Sequence, residues 1–336
     1  MKNVKDVKKN SIIILIISLI VLFFVLKDSF KEILSALIGM NYFYFIIAIL
    51  LFLLSIYIRY YIFYLSANEK KHFTSLEAFK HGLITQFFNG ITPFSTGGQP
   101  MEIYMLTNHH ISASKATSIV IQNFIYYQTA LVIFGLVAVV YNAIFHIFPS
   151  VKVLQNLVFL GFLINTLVAV GLFAITWSEK TTKKVANLSI KFLSKIKIIK
   201  DQTKVENSIE DKLMEFHTNA RELRHKKGLF ILGVLANFIS LACLYAVPLF
   251  VVYALHDYTS LHLFDTITAS AYVLLIGAFV PIPGASGGIE YGFIKFFGNF
   301  LPTITLNSAL IVWRFITYYL GMILGALLLS TEKRDD

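Results

Sequence analysis

The chain is 336 residues long, 57% hydrophobic and only 14% charged, with a mean hydropathy of +0.70. A soluble domain carries roughly 25% charged residues, so these proportions exclude an ordinary water-soluble globule. The formal net charge of +10 would suit a nucleic-acid partner, but its distribution along the chain fits membrane orientation instead.

The first apolar segment, Ser11–Leu26, follows a basic start (Lys2, Lys5, Lys8, Lys9). The sequence after it, Val25-Leu26-Lys27-Asp28, lacks the small residues of a cleavage site, so a retained span is expected in place of a signal peptide. A helix needs about 20 apolar residues to cross a bilayer, and Tyr42–Leu65, Ala116–Tyr141, Leu157–Trp177, Leu229–Leu255 and Asn307–Ser330 approach or reach that length. The expected fold is therefore an all-α integral membrane protein of about six transmembrane helices.

Short loops rich in Lys and Arg stay cytoplasmic. The basic N-terminus, loop 66–81 with Lys70, Lys71 and Lys80, and segment 178–228 are placed inside by this rule; loop 256–265, with Asp257 and Asp265 and neither Lys nor Arg, is placed outside. Both termini are then cytoplasmic. These signs agree only if two further apolar stretches dip into the membrane and return on the side they entered.

Those stretches are broken by Pro and Gly. The first runs Gly90-Ile-Thr-Pro93-Phe-Ser-Thr-Gly97-Gly98-Gln-Pro100, with Glu102 just after it; the second runs Val280-Pro-Ile-Pro283-Gly-Ala-Ser-Gly287-Gly288-Ile-Glu290. Both read Pro, three residues, Gly-Gly, then a carboxylate. Asn123-Phe-Ile-Tyr-Tyr127 follows the first and Arg314-Phe-Ile-Thr-Tyr-Tyr319 the second at nearly the same spacing. The pattern predicts two opposed re-entrant hairpins in an inverted-topology repeat, an architecture in which substrate sites form at broken helices near the midplane. Repeat one covers about 42–141 and repeat two about 229–330, within a single domain spanning 1–336. Irregular backbone at membrane depth must be buried in protein or line a wet cavity. Gly permits close approach and positive φ, and its N–H groups are expected to be free for an anion such as phosphate. A structural turn shielding helix ends would leave the same pattern.

Within 178–228, Val185, Leu188, Phe192, Ile196 and Ile199 fall at helical spacing among lysines, and Val205, Ile209, Leu213, Phe216 and Leu223 repeat the pattern. Two amphipathic helices on the anionic inner leaflet account for this insertion better than tRNA binding does.

Thr92-Pro93-Phe-Ser95-Thr-Gly97-Gly98-Gln99-Pro100-Met-Glu102, the later Pro281-Ile-Pro283-Gly-Ala-Ser286-Gly287-Gly288-Ile-Glu290, and Arg314 with Tyr318-Tyr319 resemble the lysylphosphatidylglycerol synthase transmembrane family, the flippase-like module of multiple peptide resistance factors. The resemblance covers essentially the whole chain. In bifunctional members a C-terminal domain lysylates phosphatidylglycerol, and the membrane module moves the cationic lipid outward, lowering affinity for cationic antimicrobial peptides. Here the chain ends at Asp336, six residues past Ser330, so the synthase domain is expected to be missing and a lysyltransferase activity with it. The resemblance implies a lipid flippase acting on lysylphosphatidylglycerol or another anionic or polyprenyl-linked phospholipid, with a separate lipid-synthesising enzyme as a possible partner; an oligomer is possible as well. Two rivals remain: an ion- or proton-coupled transporter of a small anionic solute, and a membrane enzyme acting on lipid headgroups.

The expected lipid path consists of Thr92, Pro93, Ser95, Gly97, Gly98, Gln99, Glu102, Asn123, Pro283, Ser286, Gly287, Gly288, Glu290, Arg314 and Tyr318. A charge inside a span costs about 2.5–3.5 kcal/mol on insertion scales and is suspect by default. Arg314 either holds a lipid phosphate bidentately or pairs with Glu290 or Glu102. The two carboxylates attract an ammonium headgroup, neutralise Arg314, or titrate. Arg59, six residues from its helix end, is expected to snorkel. Gln122, Asn123 and Gln128 supply hydrogen bonds along the path or between helices.

No cofactor, metal or nucleic acid is expected. Cys243 is the one cysteine and reads as a small buried apolar residue. His109-His110 lacks metal-ligand spacing, Ser112-Ala-Ser-Lys115 lacks the partners of an S-x-x-K enzyme, and neither nucleotide-binding glycine motif is present.

Overall fold

The computed structural model describes Ser35 and residues 38–67, 73–148, 152–195, 213–221 and 226–331. The expected first span, Ser11–Leu26, lies outside the described residues, as does most of the second amphipathic stretch, Val205 and Ile209 included.

Five helices are long and apolar enough to cross a membrane. They are α1 (Tyr42–Ala67), α4 (Ala113–Phe145), α5 (Lys152–Trp177), α7 (Lys227–Ala254) and a final rod, Thr303–Ser330. These match the apolar runs read from the sequence, lengthened by a few residues where caps allow. Ser112, for example, starts α4 by accepting the backbone N–H of Lys115, and His146 ends it in the left-handed conformation. The outward faces carry large apolar side chains, among them Phe159, Leu167 and Ile231, each about 60% exposed. Water would penalise such a surface, whereas lipid is its natural solvent.

Between the long helices lie two helix–turn–helix pairs. Helix α2 (Ser75–Gly90) leads through the turn Pro93–Ser95 into α3 (Gly98–Asn108). Helix α8 (Leu263–Gly277) leads through Pro283–Ala285 into α9 (Gly288–Phe297). At 1.5 Å per residue these arms are only about 15–24 Å long, short of the ~30 Å hydrocarbon core. The two turns pack against each other. Their positions coincide with the two Pro/Gly breaks.

The last rod is interrupted. Helix α10 (Thr303–Arg314) widens into a π-helical segment, Phe315–Leu320, before α11 (Gly321–Thr331). Nothing in the sequence pattern announced this widening, and such segments are rare and concentrate at functional sites.

Helix α1 packs along α7, and α11 packs against α2. Small and polar residues make the close contacts, as expected where lipid removes the hydrophobic incentive for helices to associate. Ser240 on α7 donates to the Ser55 carbonyl on α1 at 2.8 Å, and Ser270 on α8 donates to the Tyr245 carbonyl at 2.9 Å. Gln128 on α4 donates to both the side chain and the carbonyl of Asn165 on α5, at 2.7 and 2.9 Å, so Gln128 serves helix association as well as the cavity described below.

The polar insertion begins with α6 (Glu179–Lys195), on which Val185 and Leu188 are exposed on the apolar side. Residues 213–221 are also helical; Glu215 there accepts the Ser112 hydroxyl at 2.8 Å, at the start of α4. Helix α2 opens with a capping box. Thr74 accepts the Glu77 N–H, and the Glu77 carboxylate accepts the Thr74 N–H at 2.6 Å, which holds that carboxyl below the usual range. The side chain of His109 is half-buried, 3.4 Å from buried His81, whereas His110 is exposed. Among the described residues no group of three His, Cys, Asp or Glu is placed to hold a metal.

Candidate functional site

Each turn is built by its own side chains. Thr92 donates to the Phe88 carbonyl and accepts the Gly97 N–H at 2.8 Å, while Asn89 accepts the Gly98 N–H at 2.9 Å. In the second turn Glu290 accepts the Gly287 N–H at 2.6 Å. The Gly97, Gly98 and Gly287 amides therefore close their own turns and are not the free anion donors that glycine content alone led us to expect. Gly98 meets the Asn89 side chain so closely that a Cβ there would collide with it.

Both turns also hold non-glycine residues in left-handed conformations: Phe94 and Ser95 at φ 53° in the first, Ala285 at φ 50° in the second. The other such residues among those described are histidines at helix ends, His110, His146 and His256. Backbone in this region costs of order 1–3 kcal/mol per residue and clusters at functional sites.

Arg314 is buried, at 4% exposure, in a closed set of contacts. Its Nε lies 2.7 Å from a Glu290 oxygen, and an Nη donates to the Gly284 carbonyl at 3.1 Å and to Ser286 at 3.3 Å. The guanidinium also sits 4.5 Å from the Tyr318 ring centre. Of the two pairings open to Arg314 in the sequence, the one with Glu290 is formed. Tyr318, inside the π-helical segment, donates its hydroxyl to the Gly90 carbonyl at 2.9 Å. The last rod is thereby tied to both turns at once.

The other carboxylate has different company. Glu102 is buried and accepts the Tyr60 hydroxyl at 2.5 Å. Arg59 lies over the Tyr127 ring, 4.3 Å from its centre. Among the described residues it makes no ion pair within 4 Å, with Glu102 or any other carboxylate. Arg59, Tyr60, Gln99, Glu102 and Asn123 line a small polar pocket with a free volume of about 10 Å³, room for about one water. Asn123 also donates to the Ile119 carbonyl within its own helix.

Arg59 and Gln99 line a second, far larger space as well, a cavity of about 630 Å³, within the ~300–1,000 Å³ range of small-molecule sites. Its walls come from both turns (Asn89, Phe94 and Ser95; Val280, Gly284 and Ala285), from both buried-segment arginines, and from Gln128, Asn165 and Tyr318. Arg59 thus points inward to a cavity, where sequence position alone had it snorkelling. Of the residues expected on the path, Ser95, Gln99, Arg314 and Tyr318 line this cavity, and Glu102 and Asn123 line the small pocket beside it. Thr92, Gly97, Gly98, Ser286, Gly287 and Glu290 shape the turns, and Pro93 and Pro283 begin them; Gly288 opens α9. Sequence reasoning missed Tyr60 and Tyr127, whose only signal was their place beside Arg59 and at the end of the Asn123–Tyr127 string.

These features define a polytopic helical membrane protein with a cavity between two Pro/Gly turns, lined mostly by apolar side chains and reached by two arginines. The chain belongs to the lysylphosphatidylglycerol synthase TM region family, which matches residues 11–325. It is also 25% identical over 250 residues, 73% of each chain, to a UPF0104 membrane protein of Archaeoglobus fulgidus. The matched region is the membrane part of the synthase, not its transferase. The protein is a multi-pass membrane protein.

Proposed function

We propose that this protein moves an anionic or lysylated phospholipid between leaflets, its headgroup passing through the cavity while the acyl chains stay in lipid. The observation that carries this reading is the cavity itself: about 630 Å³, walled by both turns and by Arg59 and Arg314. Charge at depth is costly, and a cavity that gathers two guanidinium groups suits an anionic headgroup.

In this reading the two short helix pairs are re-entrant hairpins of opposite orientation, each dipping in and returning, and they form an inverted repeat. Their arms are too short to cross and their ends turn on Pro and Gly. The Lys/Arg-rich loops support a cytoplasmic position for both termini, and the amphipathic pattern of α6 supports its lying on the inner leaflet. A lipid such as lysylphosphatidylglycerol, delivered by a separate synthesising enzyme and moved outward, would make the outer surface less attractive to cationic antimicrobial peptides.

The test is reconstitution into proteoliposomes with headgroup-labelled phosphatidylglycerol or lysylphosphatidylglycerol, followed by leaflet-selective quenching. Protein-dependent movement of label between leaflets is expected. Saturable uptake of a soluble anion without lipid movement would replace this reading by a solute carrier, and a change in the mass of the lipid would replace it by an enzyme.

A further inference from the structure

The two arginine–carboxylate centres differ in one respect that the transport reading leaves unused. At Arg314 the charges are closed: Nε meets Glu290, an Nη meets Gly284 and Ser286, and the second Glu290 oxygen holds the Gly287 amide. At Arg59 they are open. Glu102 has a phenol as its hydrogen-bond partner, and Arg59 is held by a ring face while lining both the small pocket and the large cavity.

We propose that Arg59, Tyr60 and Glu102 form a proton-linked anion subsite, in which a phosphodiester binds the Arg59 guanidinium as Glu102 takes up a proton. This rests on the transport reading for its place in the membrane and adds to it a coupling ion.

The charge balance gives the reason. Empty, the centre holds one guanidinium and one carboxylate and is neutral. A phosphodiester arriving at Arg59 leaves one negative charge in excess, which is costly in a low-dielectric setting. A proton taken from water in the small pocket that Glu102 lines, passed on to its free oxygen, forms a neutral carboxylic acid and restores neutrality. When the anion leaves, the acid returns its proton to water. No bond to phosphorus changes. The phenol of Tyr60 stays hydrogen-bonded to the other carboxyl oxygen throughout and fixes its rotamer. The centre closed by Glu290 cannot do this, because both of its carboxyl oxygens are already engaged.

Among the described residues the surrounding elements add no competing charge. Helix α1 contributes Arg59 and Tyr60, α3 contributes Gln99, and α4 contributes Asn123 and Tyr127. Helix α2 lays Gly82 against the Tyr60 ring, and its His81 is engaged with His109. Across the cavity Arg314 is already paired with Glu290.

The test uses the full chain purified in detergent, titrated calorimetrically with a short-chain phosphatidylglycerol and, separately, with glycerophosphoglycerol, its deacylated headgroup. Both keep one phosphodiester charge from about pH 5 to about pH 9, so any pH dependence belongs to the protein. Wild-type affinity is expected to fall as pH rises, with a slope approaching about tenfold per unit where the carboxyl titrates. The Glu102→Gln variant, which mimics the protonated acid, is expected to bind with no such slope. Arg59→Ala is expected to lose at least about tenfold in affinity, with Arg59→Lys retaining part of it as a control for folding.

If the slope appears with the lipid alone, the ligand is a lipid headgroup; if it appears equally with glycerophosphoglycerol, it is a soluble phosphodiester; each supports the subsite. A flat wild-type profile, an unchanged slope in Glu102→Gln, or no binding of either probe overturns it. Lipid movement in proteoliposomes with a flat profile would sink this inference and leave the transport reading standing; a proton-linked profile without lipid movement would do the reverse.

Discussion

Tyr318 donates its hydroxyl to the carbonyl of Gly90 at 2.9 Å, across 228 positions of sequence. The bond joins the π-helical widening of the last rod to the end of α2, where the first turn begins. It is buried at both ends, so breaking it leaves a buried carbonyl without its donor.

Tyr318→Phe removes only the hydroxyl. Leaving the Gly90 carbonyl unsatisfied should cost about 1–3 kcal/mol, seen as a lowered midpoint in a thermal melt of the detergent-purified protein. An unchanged midpoint would mean that the bond does not hold the two halves together.

Arg314 and Glu290 offer a sharper comparison. Arg314→Ala leaves a buried carboxylate alone and should destabilise by about 3–5 kcal/mol. The double variant Arg314→Met, Glu290→Gln removes both charges, keeps a side chain able to accept the Gly287 amide, and should recover much of that loss. Arg59→Ala, by contrast, should leave the melt nearly unchanged and slow lipid movement. Equal melting behaviour of Arg59→Ala and Arg314→Ala would contradict the distinction between an open and a closed centre.

Much of this architecture was legible in the sequence, for a physical reason. Runs such as Tyr42–Leu65 and Leu229–Leu255 are set by bilayer thickness, which composition reports directly. The Pro93 and Pro283 turns were legible because Pro and Gly restrict backbone in ways few other residues can. What stayed hidden depends on which way a side chain leaves its helix. Arg59 sits near enough to a helix end to reach the interface, and only packing against Tyr127 shows that it turns inward. The choice between Glu102 and Glu290 as partner of Arg314 was likewise fixed by the register of α9: Glu290 stands at the third position of that helix, where it can cap Gly287 and meet Arg314 together. Glu102, at the fifth position of α3, meets Tyr60 instead. The π-helical segment has no sequence signature at all.

Gly284→Ala tests the second turn. Gly284 has φ 64° and faces the Tyr318 ring so closely that an added Cβ would collide with it. The change should cost about 1–3 kcal/mol in backbone strain, with further loss as Tyr318 and Arg314 are displaced. A melt equal to wild type would show the turn to be more forgiving than its geometry implies.

Acid sensitivity should appear at the start of α2. The Thr74 N–H holds the Glu77 carboxyl below its usual range, so the unfolded chain binds its proton more readily than the folded one. The cap's contribution is present above the ordinary carboxylate range and is lost as pH falls through the lowered folded value. Glu77→Gln should flatten this acidic part of a stability–pH profile while leaving the neutral part nearly unchanged; a profile that Glu77→Gln does not alter would refute the assignment.

Lipid movement through this protein requires the two turns to lie at depth beside a wet cavity. Single cysteines at Ser95 and Ile282, in a Cys243→Ser background, can be probed in sealed vesicles with a small charged methanethiosulfonate and with a bulky membrane-impermeant maleimide. Reaction of both positions with the small reagent and protection of both from the bulky one is the predicted result. Ready labelling of either turn by the bulky maleimide, as in an ordinary surface loop, would contradict it.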